Sequence, residues 1–207
     1  MAWVQTVSAS SGLASSLTPS ITVTAGNSLI VEWRVGGGAD ATVSASVDGT
    51  FGSAEASGND GGGVNVGHHI LRNVTAGTQT ITVTRSGSGA MDCLVHEYTP
   101  LGVRDAVSVV NTGFSGTASS ASITPTNGGG QALAFVINTA GATHSAWGSG
   151  FTERSDFAGV ANLALADLVP SGTSAISASA TLSASGFWSA WAVSYKSAAR
   201  KIILART

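Results

Sequence analysis

Between Ser20 and Tyr98 the chain keeps returning to one two-residue beat. Ile21-Thr22-Val23-Thr24, Leu29 to Val35, Ala41 to Val47, Val64 to Leu71, Thr78 to Thr84 and Met91 to Tyr98 alternate β-branched or apolar residues with small polar ones, and Gly, Asn and Asp cluster between them. Side chains in an extended strand point alternately to opposite faces, so this pattern predicts short strands joined by turns. Within Thr78–Thr84, Thr80, Thr82 and Thr84 fall on one face and Ile81 and Val83 on the other. One face is expected to pack and the other to meet water. Helical periodicity is almost absent before the C-terminus, and the expected fold class is all-β.

The beat is written twice. Ser20-Ile21-Thr22-Val23-Thr24 matches Ser122-Ile123-Thr124-Pro125-Thr126, and Leu29-Ile30-Val31 is matched by Leu133-Ala134-Phe135. Val74-Thr75-Ala76-Gly77-Thr78 matches Val169-Pro170-Ser171-Gly172-Thr173, with Ile81 opposite Ile176, and Gly89 through Tyr98 lines up with Gly186 through Tyr195. Matched blocks in one order indicate a duplicated unit. Seven or eight short strands in about 100 residues suit a β-sandwich, jelly-roll or Ig-like in connectivity. Two tandem sandwiches are therefore expected over residues 1–100 and 103–195, divided near Pro100-Leu101-Gly102, followed by an arm at 196–207. Each core is small, so docking the two units or oligomerising would add buried apolar area.

Charge separates the tail from the body. Charged residues make up 10% of the 207, well below the ordinary quarter. Five of the nine basic residues and all eleven acids lie in residues 1–195, giving the body −6, whereas Lys196, Arg200, Lys201 and Arg206 give the tail +4. Ile202-Ile203-Leu204 adds an apolar triplet with no obvious place in the second sandwich. Twelve extended residues span about 40 Å, enough to reach a neighbour and add a strand to its sheet. An overall charge of −2 argues against general nucleic-acid binding, and no apolar run approaches a membrane span. The opening Met-Ala-Trp-Val-Gln-Thr carries neither a basic nor an apolar leader region, so classical secretion is not expected.

Titratable chemistry is sparse. Ser115 in Gly113-Phe114-Ser115-Gly116 misses the Gly-x-Ser-x-Gly elbow, and Gly148-Ser149-Gly150 is too short for it. Adjacent His68 and His69 point to opposite faces of a regular strand and cannot chelate one ion together. Such a pair usually leaves one ring exposed and the other hydrogen-bonded. Glu153 and Asp156 flank Arg154 in a stretch that reads as a solvated loop. Asp48-Gly49-Thr50 and Asn59-Asp60-Gly61 are turns, and Asn73-Val74-Thr75 fits a glycosylation sequon without a secretory context. The glycine clusters at 36–38, 61–63 and 128–130 lack the Lys-Ser/Thr of a phosphate loop. A lone Cys93 excludes a disulfide framework within the chain. No catalytic residue, metal or cofactor is expected. Among the aromatics, Trp3 and Trp33 read as packing. Trp188 and Trp191, three apart, face opposite sides, one in the core and the other toward a domain contact or solvent. Trp147, in Ser145-Ala146-Trp147-Gly148-Ser149-Gly150, is a candidate for an interface, a sugar platform or packing.

The segments Thr24-Ala25-Gly26-Asn27-Ser28-Leu29-Ile30-Val31 and Val74 to Val83 resemble β-domains of bacteriophage virion proteins and of bacterial surface proteins. The similarity runs over residues 3–98 and, more weakly, 107–195, where Pro125 and Pro170 depart from it. The resemblance implies a structural or adhesive role without catalytic residues. The expectation is a non-enzymatic virion protein, a head decoration or cement protein, with a tail, neck or fibre component as the neighbouring possibility. Its partners would be copies of itself, as a trimer, and virion proteins such as the major capsid protein. The competing class is a carbohydrate-binding adhesion module using Trp147.

Overall fold

A computed structural model describes residues 1–37, 41–59, 63–139 and 141–198. Every regular element among them is a β-strand. The first half contributes β1 (Trp3–Leu17), β2 (Ser20–Val23), β3 (Ser28–Gly36), β4 (Thr42–Ala45), β5 (Gly49–Thr50), β6 (Ala56–Asn59), β7 (Val64–Arg72) and β8 (Gly77–Tyr98). The second half contributes β9 (Leu101–Val107), β10 (Asn111–Ser119), β11 (Gln131–Asn138), β12 (His144–Ser145), β13 (Thr152–Ala158), β14 (Asn162–Leu168) and β15 (Ser179–Ser197). Among these residues no helix is long and apolar enough to cross a membrane.

Each half builds its own antiparallel sheet. The first runs β5-β4-β8-β3-β7-β6, with β1 and β2 also on β8; the second runs β10-β15-β11-β14-β13, with β9 and β12 also on β15. The expected strands at Thr78–Thr84 and Met91–Tyr98 are one continuous strand, β8. Its first part pairs with β2 and β4 and its last part with β1 and β3. Both parts line one core with Leu29, Val31, Trp33, Val43 and Phe51, because β8 crosses from one layer to the next. Gly87, at φ 74°, supplies a left-handed bend within it. In the second half β15 has the same place, pairing first with β12 and the end of β10, then with β11 and β9.

The duplication is therefore visible in strand order and register. Ser28 pairs with Tyr98 as Gln131 pairs with Tyr195, which makes Ile30 the counterpart of Leu133. The sequence match had set Leu29 there. A one-residue slip exchanges faces, and Ile30 and Leu133 share a core that Leu29 does not enter.

That shared core overturns the expectation of a wet face for the central strands. Ile30, Val66, Ile70, Leu94 and Tyr98 from the first sheet meet Leu133, Phe135, Leu163, Leu165, Trp191, Val193 and Tyr195 from the second. β3 is buried from Ser28 to Val35 and β11 along its whole length. Alternation survives where a sheet does face solvent, as at Gln79–Thr84. The second half's own cores are made largely of alanine with Val136, Leu182, Trp188 and Phe151. Small residues let its layers approach closely, and most of the large side chains lie in the seam between halves.

Candidate functional site

The seam concentrates the polar chemistry. Tyr195, near the end of β15, reaches into the first half and donates its hydroxyl to Glu55 at 2.7 Å; Glu55 also pairs with Arg72 at 3.1 Å. Tyr98, at the end of β8, reaches into the second half and donates to Asp167 at 3.2 Å, and Asp167 pairs with Arg154 at 2.9 Å. Each half thus inserts a terminal-strand tyrosine into a carboxylate–arginine pair of the other. The carboxylate precedes β6 and the arginine lies on β7 in one case; the arginine lies on β13 and the carboxylate on β14 in the other. This reciprocity is the signature of a two-fold contact between like units. Burial, reinforced by the facing carboxylate, pushes both phenols well above their ordinary pKa, so they remain donors.

His68 extends the first clamp. The Trp191 indole donates to its Nδ1 at 2.9 Å, which places the proton on Nε2, 3.2 Å from the Tyr195 hydroxyl. The ring stacks on Phe135 with 4.6 Å between centroids. Burial, then the charges of His69, Arg104 and Arg72, lowers its pKa to about 3, so it is neutral. His69 turns the other way, into the first half's core, and accepts the Trp33 indole at 2.9 Å. The adjacent histidines do face opposite sides, but neither is exposed, since the sheet that carries them is covered on both faces. Among the described residues no group of three or more His, Cys, Asp or Glu could hold a metal ion.

Two further buried groups belong to the first half. Glu32 and His96 Nε2 stand 3.7 Å apart, both inaccessible to solvent, while His96 Nδ1 lies 2.8 Å from Thr6 Oγ1. Burial raises the Glu32 carboxyl well above its usual range and lowers His96 to about 3, which leaves both neutral. Asp92 is ion-paired with Arg34 at 3.3 Å and accepts the Val160 and Ala161 backbone N–H groups from the β13–β14 hairpin at 2.8 and 3.2 Å. Gly159 opens that hairpin because a Cβ there would collide with Asp92 Oδ1 and Ser10 Oγ.

The residues singled out from sequence are scattered over the molecule. Ser115 accepts the Trp188 indole and donates to the Thr117 carbonyl. Glu153 and Asp156 lie on β13, not in a loop; Glu153 accepts the Trp147 indole at 2.7 Å and Asp156 the His144 ring at 2.8 Å. A bulge between Glu153 and Ser155 interrupts the ladder, which is why the stretch reads as irregular. Trp147 is half-buried against both alanine-rich cores. Trp188 enters the second half's own core and Trp191 the seam, the opposite facing that their spacing requires. Trp33 is fully buried, Trp3 packs on the seam, and Cys93 lies in the first core with its thiol pushed up to about 12 by burial. Of the arm, Lys196 pairs with Asp105 at 3.7 Å; Arg200, Lys201, Ile202, Ile203, Leu204 and Arg206 lie outside the described residues.

The sequence reading missed an exposed aromatic pair. Phe114 on β10 and Phe187 on β15 are cross-strand partners in T-shaped contact, 4.9 Å between centroids, and are 64% and 57% exposed. Val103 and Val109, earlier in the chain, are also exposed. Among the described residues β10 borders only β15, and it carries no charged residue from Asn111 to Ser119. Period two alone marks Phe114 and Phe187 as strand residues, and only the pairing register brings them together.

No family model matches this chain, and no curated protein does. Among solved structures it is similar to the major capsid protein P2 from bacteriophage PM2, at a TM-score of 0.26 and 10% identity, over 95% of this chain and 99% of that one.

Proposed function

We propose that the protein is a non-enzymatic structural subunit of a bacteriophage virion, built as two tandem β-sandwiches and acting as a head decoration or cement protein. The observation that carries this reading is the uncharged β10 edge with its exposed Phe114–Phe187 pair. Edge strands of proteins that stay alone are ordinarily guarded by charge, proline or a covering loop. An exposed aromatic pair beside an uncharged edge fits a chain whose surface meets other subunits. The resemblance of Thr24–Val31 and Val74–Val83 to β-domains of virion proteins supplies the setting.

The work of such a subunit is mechanical. The two tyrosine clamps and the apolar seam make the halves one block, which transmits load between contacts on opposite sides. Residues 196–207 would supply a further contact, Ile202-Ile203-Leu204 adding apolar area while the basic groups meet acidic neighbours. Mass spectrometry of density-purified particles tests the proposal. The chain should be present in many copies per particle, and particles lacking it should release DNA at lower temperature. Its absence from intact particles overturns the reading. A saturable sugar-induced change in Trp fluorescence, lost in Trp147→Ala, would instead establish the adhesion module.

A further inference from the structure

The glycine cluster at 128–130 lies in the loop from β10 to β11 and begins directly after Asn127. No other asparagine in the chain is followed by glycine. That dipeptide has a chemistry of its own. The backbone nitrogen that follows an asparagine lies within reach of its side-chain carbonyl carbon, and a residue without a Cβ leaves the approach open. Asn127, Gly128 and Gly129 are all exposed. Among the described residues the Gly128 N–H donates to no acceptor, whereas the Gly129 N–H is held by the Pro170 carbonyl at 2.8 Å. The Asn127 side chain makes one hydrogen bond among these residues, from Nδ2 to Thr126 Oγ1 at 3.2 Å. A nucleophile and its electrophile are therefore adjacent, wet and almost free of competing partners.

We propose that Asn127 is a site of spontaneous deamidation through the Gly128 nitrogen. That nitrogen gives up its proton and attacks Asn127 Cγ. The N–Cγ bond forms, the Cγ–Nδ2 bond breaks, and Nδ2 leaves with a proton as ammonia. The succinimide ring then takes up one water and opens at either carbonyl. One opening gives an aspartyl residue, and the other an isoaspartyl residue whose main chain runs through the side-chain carbon. Water is the only co-reactant.

The loop that changes is fitted to the end of β15. Gly129 accepts the Ser197 hydroxyl at 2.8 Å, and Gly130 lies too close to the Tyr195 carbonyl for any side chain. A Cβ at Gly128 would stand 3.0 Å from the Ser171 carbonyl. Thr126 donates its N–H and its hydroxyl to Asp105 at 2.7 and 2.5 Å, and Asp105 faces Lys196 at 3.7 Å. A carboxylate at position 127 would meet Thr126 Oγ1 where an amide donor stood, and the one proton of that hydroxyl is already given to Asp105. A second negative charge then stands beside Asp105. The isoaspartyl product also adds a main-chain atom to a segment packed without slack. Deamidation thus loosens the strand end that carries Lys196, and it accumulates with the age of the molecule.

Peptide mapping by mass spectrometry of the full chain, incubated folded at pH 7 and at pH 9, tests this. Residue 127 should gain about one dalton, faster at the higher pH, where more of the backbone nitrogen is deprotonated. The aspartyl and isoaspartyl peptides should separate on chromatography, and the exposed Asn73 and Asn111 should lag well behind. Asn127→Gln, whose ring would need a further carbon, should show no gain. Asn127→Asp makes one product directly and should lower the thermal midpoint by about 1–2 °C near pH 7, and by less at high salt. A folded chain that stays unmodified at 127, a gain no faster than at Asn73 and Asn111, or a gain seen only in urea overturns the inference. An Asn127→Asp midpoint equal to wild type overturns its coupling to β15.

Discussion

Replacing Tyr195 by Phe deletes one oxygen from the seam and nothing else, which makes it the cleanest probe of the clamps. That oxygen donates to Glu55 at 2.7 Å and stands 3.2 Å from His68 Nε2. A buried hydrogen bond to a carboxylate contributes about 1.5–3 kcal/mol, and leaving the His68 N–H unsatisfied costs about 1 kcal/mol more. Tyr195→Phe should therefore destabilise the protein by about 3 kcal/mol. Tyr98→Phe loses a single, longer bond to an Asp167 that keeps Arg154, so about 1.5 kcal/mol is expected there. Urea unfolding followed by Trp fluorescence measures both, with an unchanged dependence on denaturant showing that the folded surface is intact. Because the seam core is shared, each variant should shift one cooperative transition. A Tyr195→Phe cost below about 0.5 kcal/mol, or one smaller than that of Tyr98→Phe, would refute the clamp argument.

Acid should weaken the fold earlier than its carboxylates alone would. His68 and His96 stay neutral down to about pH 3 in the folded protein but take up protons below 6.5 when unfolded. Stability then falls with decreasing pH through that window, by about 1.4 kcal/mol per pH unit for each ring, and His96→Gln should flatten the slope in a urea series. Glu32 acts with the opposite sign: neutral when folded and ionised above 4.5 when unfolded, it lowers stability as pH rises. Glu32→Gln should accordingly stabilise the protein at pH 8 by more than at pH 5, and an equal effect at both would contradict its neutral state. Gly159→Ala forces a Cβ against Asp92 and Ser10, and about 1–3 kcal/mol of destabilisation is expected, read as a lower melting temperature. A melting temperature equal to wild type would show that the hairpin does not bear on Asp92.

What could be read from the residues was local. Alternation located strands between Ser20 and Tyr98 but neither β1 nor β13, spacing put Trp188 and Trp191 on opposite faces, and the repeated blocks exposed the duplication. What could not be read was which faces other strands would cover. Glu32, Arg34, Asp92 and His96 look like the wet side of ordinary half-buried strands, yet every one lies under the second sheet. Their burial depends on partners some 60 to 70 residues away, such as the Val160 and Ala161 amides over Asp92, and no period along β3 or β8 encodes that distance. The Phe114–Phe187 pair was hidden for the same reason, its members being cross-strand neighbours 73 residues apart.

The duplicated halves have diverged in what they present to each other. The first brings Glu32, Arg34, Asp92 and His96 to the seam, whereas the second brings Phe135, Leu163, Leu165 and Trp191. Two first halves from different chains, laid face to face, would set these ionisable groups against their own images. Two second halves would have no acceptors for the hairpin amides that Asp92 now receives. Unlike halves are thus the favoured match, and the covalent link makes the sister half the nearest candidate. A chain emerging among many copies of itself is thereby steered to close on its own sister half rather than on a neighbour's.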